Sequence, residues 1–377
     1  MSQVVQLLRD LIALPSVNPG LVPAGDARAG EARVAEHLVA AARRARLDVA
    51  LQPVQPGRAN VLITLRPSGR VRQRVLLAPH MDTVGVASEE QLRPVLRRGR
   101  VHGRGACDTK GSVAAMFTAL CGVASAARRP VSTEITLAAL IDEEVHQAGS
   151  RALVRAGWRA DLAIVGEPTG CGVVTAHKGD LWLQLETRGK AAHGARPDLG
   201  RNAVHAMARV VELLETDYAA RLRRRRHPLL GHGTVNVGSI QGGRQPNIVP
   251  DRCVIQIDRR TLPGERDAEV KRELVSYLRA RGHAVGLVDT KDGAPAPPLQ
   301  TDARLPLVRV LLGAARQAGP LGVDYFTDAG VLAAGGIPGV VFGPGSIAQA
   351  HTVDEWVSVA QLERATAILG RFLSGLA

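Results

Sequence analysis

The chain has 377 residues, of which 45% are hydrophobic and 22% are charged, a composition typical of globular proteins. This length allows two domains or one large domain, and no apolar run is long enough to span a membrane. The N-terminal stretch "MSQVVQLLRDLIALPSVNPG" lacks the basic start, apolar core and small-residue cleavage site of a signal peptide. We therefore expect a cytoplasmic protein with no membrane partner.

The net charge is +13, and only five of the 48 basic residues are lysine. The densest basic run is "RLRRRRHP" at 221–228. A nucleic-acid site is one interpretation of this run, but aromatic residues make up only 3% of the chain, so stacking platforms are scarce. We interpret the run as the solvated end of a helix and expect no nucleic-acid partner.

The cysteines show no C-x-x-C pairing, and a chain of this length does not need disulfides for stability. We expect them to be small buried residues: Cys107, Cys121, Cys171 and Cys253.

The first part of the chain alternates helical and strand patterns. Leu, Val and Ala have helical spacing over 3–14 and 31–46, and 110–128 is an Ala-rich helix. Four nearly continuous apolar segments predict strands at 60–67, 74–82, 134–144 and 160–169. Such strands between helices indicate an α/β sheet that is covered on both faces.

The middle of the chain has a different pattern, in which polar and apolar residues alternate along the predicted strands. The strands are predicted at 180–189, 234–243 and 252–262, and the helices at 202–217 and 267–282. This pattern favours a small domain whose antiparallel sheet has helices on one face. The last part returns to the first pattern, with helices at 305–318 and 358–376 and a strand at 336–345.

The small domain is therefore predicted to be inserted into the large one. The expected organisation is a catalytic domain in two parts, 1–176 and 291–377, with the inserted domain at 177–290.

Acids and histidines follow several of the predicted strands, and ligands bind at the carboxyl ends of strands in open α/β sheets. In "ITLAALIDEEVHQAGS" three adjacent acids, 142–144, end a strand. Imidazole and carboxylate together suit zinc, with cobalt or manganese as substitutes. Two such ions about 3.5–4 Å apart need a bridging carboxylate. The candidate residues are His80, Asp82, Asp108, Glu143, Glu144, Glu167 and His351.

Each of these residues also has an ordinary structural interpretation. The His80–Asp82 pair is typical of a hydrogen-bonded turn, Asp108 of a helix N-cap, and Glu167 of a surface acid before a proline. Their joint placement after apolar strands favours a two-metal site. A pair of dications would neutralise the crowded acids at 142–144, with one glutamate binding metal and its neighbour acting as base.

Motifs spread over almost the whole chain resemble one family. They are "PSVNP", "PHMDTV", "GRGACDTKG", "DEE", "GEPT", "HKGDLWLQLETRGKAAHGARPDLG", "QPNIVP", "DRRTLPG" and "FGPGSIAQAHTVDEWV". The chain resembles the co-catalytic zinc amidohydrolases, which include acetylornithine deacetylase, succinyl-diaminopimelate desuccinylase, aminoacylase and glutamate carboxypeptidase. The resemblance implies a three-layer α/β/α zinc-peptidase-like catalytic domain with an inserted α+β, ferredoxin-like lid and dimerisation domain.

The resemblance also implies a role for each matched residue. Two Zn²⁺, or Co²⁺ or Mn²⁺, would be bound by His80, Asp108, Glu144, Glu167 and His351. Asp108 would bridge the ions and be followed by a cis peptide bond, Asp82 would orient His80, and Glu143 would be the general base.

For the inserted domain, the resemblance implies that His193 reaches the active site of the partner subunit in a homodimer and stabilises the oxyanion. Asn247 and Arg260 would bind the substrate carboxylate. Arg259 is the neighbouring candidate, because strand alternation points only one of the two arginines inward. Gly343 and Gly345 would let the backbone approach the substrate.

The expected activity is metal-dependent hydrolysis of the amide bond of N-acyl amino acids, with a small-molecule substrate. A carboxypeptidase-like or dipeptidase-like activity is the alternative. A non-catalytic binding protein on the same fold is less consistent with an intact base at Glu143. A nucleic-acid binder using the arginine run is the third hypothesis. The sequence leaves open the acyl group, the amino acid, the native metal and the oligomeric state.

Overall fold

The computed structural model describes residues 1–126, 129–289 and 296–376, and the chain divides into two compact units. The first unit comprises Met1–Thr175, Gln300–Leu321 and Thr327–Ala377. The second comprises Ala176–Leu299 and Gly322–Phe326. The boundary that we predicted at residue 290 lies outside the described residues.

The helices of the described residues follow the predicted pattern with several additions. They are α1 (Gln3–Ile12), α2 (Ala32–Arg44), α3 (Lys110–Ser125), α4 (Ala148–Arg155), α5 (Ala203–Leu213), α6 (Ala219–Arg223), α7 (Asp267–Arg279), α8 (Pro306–Ala315), α9 (Asp328–Ala334) and α10 (Val359–Ser374). Among them there is none whose length and apolar character would let it cross a bilayer.

The strands are more numerous than the sequence pattern predicts, and most of the predicted ones are shorter. They are β1 (Asp48–Gln55), β2 (Arg58–Leu65), β3 (Gln73–Pro79), β4 (Val95–Arg97), β5 (Arg100–His102), β6 (Thr133–Ala139), β7 (Leu162–Gly166), β8 (Val174–His177), β9 (Gly179–Arg188), β10 (Thr234–Gly242), β11 (Arg252–Thr261), β12 (Gly286–Asp289), β13 (Leu299–Gln300), β14 (Leu321–Val323), β15 (Gly339–Val341) and β16 (Trp356–Ser358).

The largest sheet of the described residues is mixed and has the strand order β1-β2-β6-β3-β7-β15-β8-β13, with β14 paired with β8. Strand β3 lies between β6 and β7 and is parallel to both. Successive strand residues point to opposite faces. Val75 and Leu77 of β3 belong to the large core cluster, and Leu76 between them is equally buried. The sheet is therefore covered on both faces, and the predicted α/β class is confirmed.

Helix α3 explains how this core is closed on one side. It is apolar around most of its circumference, and α1 and α10 both pack against it. A helix that is apolar on all sides is stable only when it is buried. Its first residue, Lys110, is buried as well, and its ammonium group donates to the carbonyl oxygens of Leu11 at 3.0 Å and Leu14 at 2.7 Å.

The second unit is built on an antiparallel sheet with the order β10-β11-β9-β12 among the described residues. Buried residues alternate with more exposed ones along β11, and the buried set packs with α5, α6 and α7 in one core. The arginine run lies at the exposed end of α6, where Arg221 and Arg225 form ion pairs with Glu273. This placement agrees with a solvated helix end.

The cysteines are all free thiols. Cys107, Cys171 and Cys253 are buried as expected, whereas Cys121 is only partly buried.

Candidate metal centre

The parallel pairing of β3 and β7 brings the first two candidate ligands together. Pro79 and Gly166 are paired at the ends of these strands, and His80 and Glu167 are the next residues in each chain segment. Both side chains are buried, and His80 Nε2 lies 3.6 Å from Glu167 Oε1. The register of the two strands therefore places an imidazole beside a carboxylate at their carboxyl ends.

Asp108 lies between the two histidines. Its Oδ1 atom is 3.2 Å from His80 Nε2, and its Oδ2 atom is 3.3 Å from His351 Nε2. The Asp108–Thr109 peptide bond is cis, as the family resemblance predicted. The N-cap of α3 is Thr109, so the interpretation of Asp108 as an N-cap is wrong.

Glu144 completes the second side of the cluster, with its Oε2 atom 3.2 Å from His351 Nε2. Among the described residues, two sets of three have ligand atoms that all lie within 4.8 Å of one another. The sets are His80, Asp108 and Glu144, and His80, Glu143 and Glu167. The structure thus brings all five predicted metal ligands and the predicted base into one cluster within the first unit.

The three adjacent acids do not all face this cluster. Asp142 has a positive φ of 66°, which turns its side chain away from those of its neighbours. Its carboxylate accepts hydrogen bonds from Arg58 at 3.1 Å and from the Asn18 amide at 3.0 Å. Our prediction that metal ions neutralise all three acids is therefore wrong for Asp142, whose carboxylate pairs with Arg58 instead.

Asp82 is a buried acceptor behind the cluster. Its carboxylate accepts the backbone N–H groups of Glu143 and Glu144, each at 3.1 Å, and the Asn18 amide at 2.7 Å. Its Oδ1 atom is 3.5 Å from His80 Nδ1, which lies 2.9 Å from the Asp82 backbone oxygen. Asp82 therefore contacts the imidazole and also fixes the backbone that carries both glutamates.

Burial dominates the ionisation of the glutamates. It raises the pKa of Glu144 from 4.5 to about 7, and the nearby Asp108 charge adds to this shift. The pKa values of Glu143 and Glu167 are raised well above their ordinary value, also by burial and by neighbouring carboxylates. Crowded acids of this kind need an external positive charge to remain ionised together at neutral pH.

In contrast to the glutamates, the two histidines and Asp108 have pKa values that are shifted in favour of their charged forms. Burial opposes ionisation of Asp108, but hydrogen bonds from His351 and His80 hold its pKa well below the usual range. The hydrogen bond with Asp108, followed by the one with Glu144, raises the pKa of His351 to about 10. For His80, burial lowers the pKa, but the carboxylates of Asp108 and Asp82 outweigh it and raise the pKa.

The donor set fits a pair of divalent cations. Glu144 Oε1 and Glu167 Oε1 are both buried and have no hydrogen-bond partner among the residues that the structure describes. A buried carboxylate oxygen without a partner is costly. Cations that coordinate these two oxygens would remove that cost, and imidazole with carboxylate is a ligand combination that zinc accepts.

The predicted residues of the inserted domain lie in the second unit. His193 and Asn247 are exposed. Arg259 is buried and forms an ion pair with Glu265 at 2.8 Å, whereas Arg260 is partly exposed and forms one with Asp258 at 2.7 Å. The alternation along β11 thus points the two arginines to opposite faces, and only Arg260 has a side chain accessible to a ligand.

Gly343 and Gly345 follow β15 in the first unit, and both are buried. Their N–H groups already donate, that of Gly343 to Thr169 Oγ1 at 3.1 Å and that of Gly345 to Gln361 Oε1 at 2.8 Å. A Cβ atom on Gly343 would lie 2.5 Å from the backbone oxygen of Glu167. Position 343 therefore needs a glycine because its backbone packs closely against that of the predicted ligand Glu167.

Sequence reasoning missed the residues that support the cluster from behind. The partly buried Arg58 forms an ion pair with the buried Glu31 beneath Asp142, and Asp328 accepts from Ser150 Oγ at 2.5 Å. Glu355 accepts several N–H groups from the Asp108 loop. The only sequence signals were the polar "PSVNP" motif, which contains Asn18, and the acid pair that follows His351.

Comparison with known proteins places this site in a family. The profile of peptidase family M20/M25/M40 matches residues 76–375. The chain is 36% identical over 330 residues to an acetylornithine deacetylase of Myxococcus xanthus, covering 83% of both chains. It is 29% identical over 385 residues to an acetylornithine deacetylase of Proteus mirabilis, covering 98% of this chain and 95% of that one.

Solved structures share the fold at low sequence identity. A tripeptidase from Staphylococcus aureus has a TM-score of 0.80 at 19% identity and covers 99% of this chain and 97% of its own. A dinuclear metal-binding M20 peptidase from Bacillus subtilis has a TM-score of 0.70 at 13% identity, covering 98% and 96%.

Proposed function

Because this chain belongs to peptidase family M20/M25/M40 and is a metal-dependent amidohydrolase, we propose that it hydrolyses the amide bond of N-acyl amino acids. The observation that carries this proposal is the cluster of His80, Asp108, Glu144, Glu167 and His351. The names of the two relatives support an N-acetyl amino acid as the first substrate to test.

We assign two sets of ligands that share Asp108. His80 and Glu167 would hold one ion, and Glu144 and His351 the other, with zinc as the expected metal. The separate contacts of the two Asp108 oxygens with the two histidines support this bridging role. Asp82 would orient the His80 ring, because its carboxylate contacts His80 Nδ1.

When bound, the two ions supply Lewis acidity, which lowers the pKa of a water molecule and polarises the substrate carbonyl. Glu143 is the proposed general base that takes the water proton and returns it to the leaving nitrogen. Its carboxylate lies within 4.8 Å of ligand atoms of His80 and Glu167, and its backbone is held by Asp82. Burial and the nearby Glu167 charge raise the pKa of Glu143 well above its ordinary value, the direction that favours uptake of the water proton.

The remaining roles rest on the family resemblance. His193 would donate a hydrogen bond to the developing oxyanion of the partner subunit's substrate in a homodimer. Asn247 and Arg260 would bind the substrate carboxylate, which suits the forked donors of a guanidinium group. The partial exposure of Arg260 beside Asp258 supports its accessibility. The expected cytoplasmic location stays a prediction.

The first experiment separates catalysis from metal binding at Glu143. A Glu143→Gln variant should retain the metal content of the wild type and lose turnover of N-acetyl amino acids by about 100- to 10,000-fold. N-succinyl and N-carbamoyl amino acids and dipeptides are assayed beside them with zinc, cobalt and manganese, because a peptidase would prefer the dipeptides. Loss of metal in Glu143→Gln would make Glu143 a ligand instead of the base.

A second experiment addresses sharing of sites between subunits. His193→Ala should lower turnover by about 100-fold without loss of metal. Mixing inactive Glu143→Gln and His193→Ala subunits should restore about a quarter of wild-type activity, because half of the dimers would contain one complete site. No restoration after verified subunit exchange would rule out a shared site.

A further inference from the structure

A buried carboxylate with four donors lies beneath the candidate metal centre. Glu355 is 2% exposed and comes four residues after His351. Its Oε1 atom accepts the backbone N–H groups of Cys107 at 2.8 Å and Asp108 at 3.0 Å. Its Oε2 atom accepts the N–H of Gly105 at 3.0 Å and the Arg104 guanidinium at 2.7 Å.

These donors form an anion-binding loop whose anion is a side chain of the same protein. Gly105 has a φ of +81°, a conformation that lets successive N–H groups converge on one point. Each oxygen of Glu355 already accepts two hydrogen bonds, which uses its acceptor capacity. Glu355 therefore has no role as a metal ligand or as a base, and its charge serves to hold the loop.

The same residue belongs to the segment that carries His351. The Glu355 backbone oxygen accepts the N–H of Gly103 at 3.0 Å. Gln91 adds a second connection, because its amide donates to the Val353 oxygen at 3.0 Å and its own backbone oxygen accepts the Arg104 N–H at 2.7 Å. The segment and the loop are therefore joined on both sides of the Glu355 carboxylate.

We propose that Glu355 is a positioning residue that fixes Asp108 and His351 relative to one another. The inference rests on the proposed two-metal function. His351 needs such support, because its side chain is 56% exposed. Asp108 needs it because each of its two oxygens must face a different histidine.

The variant Glu355→Gln tests this role with almost no change in volume. One oxygen becomes an NH₂ group that faces N–H donors, so part of the loop loses its acceptor and Asp108 shifts. Loss of a residue that orients metal ligands typically lowers metal affinity about 10- to 100-fold. We expect a loss of this size, together with a lower kcat and a nearly unchanged KM.

The experiment uses metal-free full-length protein titrated with Co²⁺ against a competing chelator. The readouts are the affinity for Co²⁺, the visible spectrum of the bound ion and the kinetic constants. Asp354→Asn is the matched neighbour, because Asp354 is exposed and pairs only with His102 among the contacts described. Leu373→Ala, in the buried core of α10, controls for a general loss of stability.

The expected result is weakened Co²⁺ binding and an altered spectrum in Glu355→Gln, with both controls at wild-type affinity. Should Glu355→Gln fail to fold, Glu355→Asp keeps the negative charge beside Arg104 but shortens the side chain, and it should weaken binding in the same direction. Wild-type affinity and spectrum in the folded variants, with only a lower melting temperature, would overturn the inference and leave the proposed function intact. A wild-type protein that binds no Co²⁺ would overturn both.

Discussion

The ion pair beneath Asp142 makes the sharpest stability prediction. Arg58 binds both oxygens of Glu31 and one oxygen of Asp142, at 2.5, 2.8 and 3.1 Å. The side chains of the two acids are each only 2% exposed, and that of Arg58 is 11% exposed. An Arg58→Met variant would keep most of the volume and leave two buried carboxylates without a cation.

Removing one partner of a buried ion pair costs about 3–5 kcal/mol. For a unit of this size, each kcal/mol lowers the melting temperature by about 2–4 °C, so the first unit should melt about 6–20 °C lower. Arg66→Met is the matched control, because its ion pair with Asp48 is 72% and 60% exposed. That change should leave the melting temperature close to that of the wild type, because exposed ion pairs contribute little to stability.

The loss of stability in Arg58→Met should also depend on pH. Burial raises the pKa of Glu31, and the Arg58 hydrogen bond opposes this shift in the wild type. Without Arg58 the pKa of folded Glu31 rises further, so the folded variant binds more protons than the unfolded chain above pH 4.5. Its stability should therefore fall as the pH rises, and the deficit should be larger at pH 8 than at pH 5. Calorimetry that gives Arg58→Met the same small deficit as Arg66→Met would refute this reasoning.

Two further predictions concern the cluster itself. Gly343→Ala should destabilise the protein by about 1–3 kcal/mol and weaken metal binding, because the new Cβ would press on Glu167. The control is Gly313→Ala, whose Cβ meets no atom within 4 Å and which should be neutral or stabilising. Calorimetry measures both changes. In metal-free protein, burial raises the pKa of Glu144 from 4.5 to about 7, so stability should fall by about 1.4 kcal/mol for each pH unit across that window. Stabilisation by added zinc should therefore grow between pH 5.5 and 8. An increase in melting temperature on adding zinc that is the same at both pH values would contradict the claim that the buried acids are ionised at the expense of stability.

The elements that bury continuous apolar segments were predictable from the sequence. Strand β7 and helix α3 lie within the ranges predicted for them, and β3 begins only one residue before its predicted range, because these elements bury most of their side chains. Strand β1 was missed, because it is partly or fully exposed along its length and contains Gln and Pro. Its sequence therefore carries no hydrophobic pattern that would identify a strand.

The candidate ligands were predictable because each follows a strand or carries a family motif. Arg58 and Glu31 were not, since single charged residues are ordinarily exposed and nothing local marks these two as an ion pair turned towards the interior. Arg58 lies 84 residues from its partner Asp142. The turn of Asp142 away from the cluster depends on one backbone dihedral angle, which no residue-type pattern at 142–144 specifies.

The central claim is that this one cluster holds two ions that are needed for hydrolysis. Its most direct test is a Co²⁺ titration of metal-free protein in which bound metal and turnover of an N-acetyl amino acid are measured on the same samples. Turnover should rise from zero and level off near two ions per chain, and His351→Ala should bind about one ion fewer. Full turnover before any metal is added, or two ions bound equally tightly by His351→Ala, would contradict the claim.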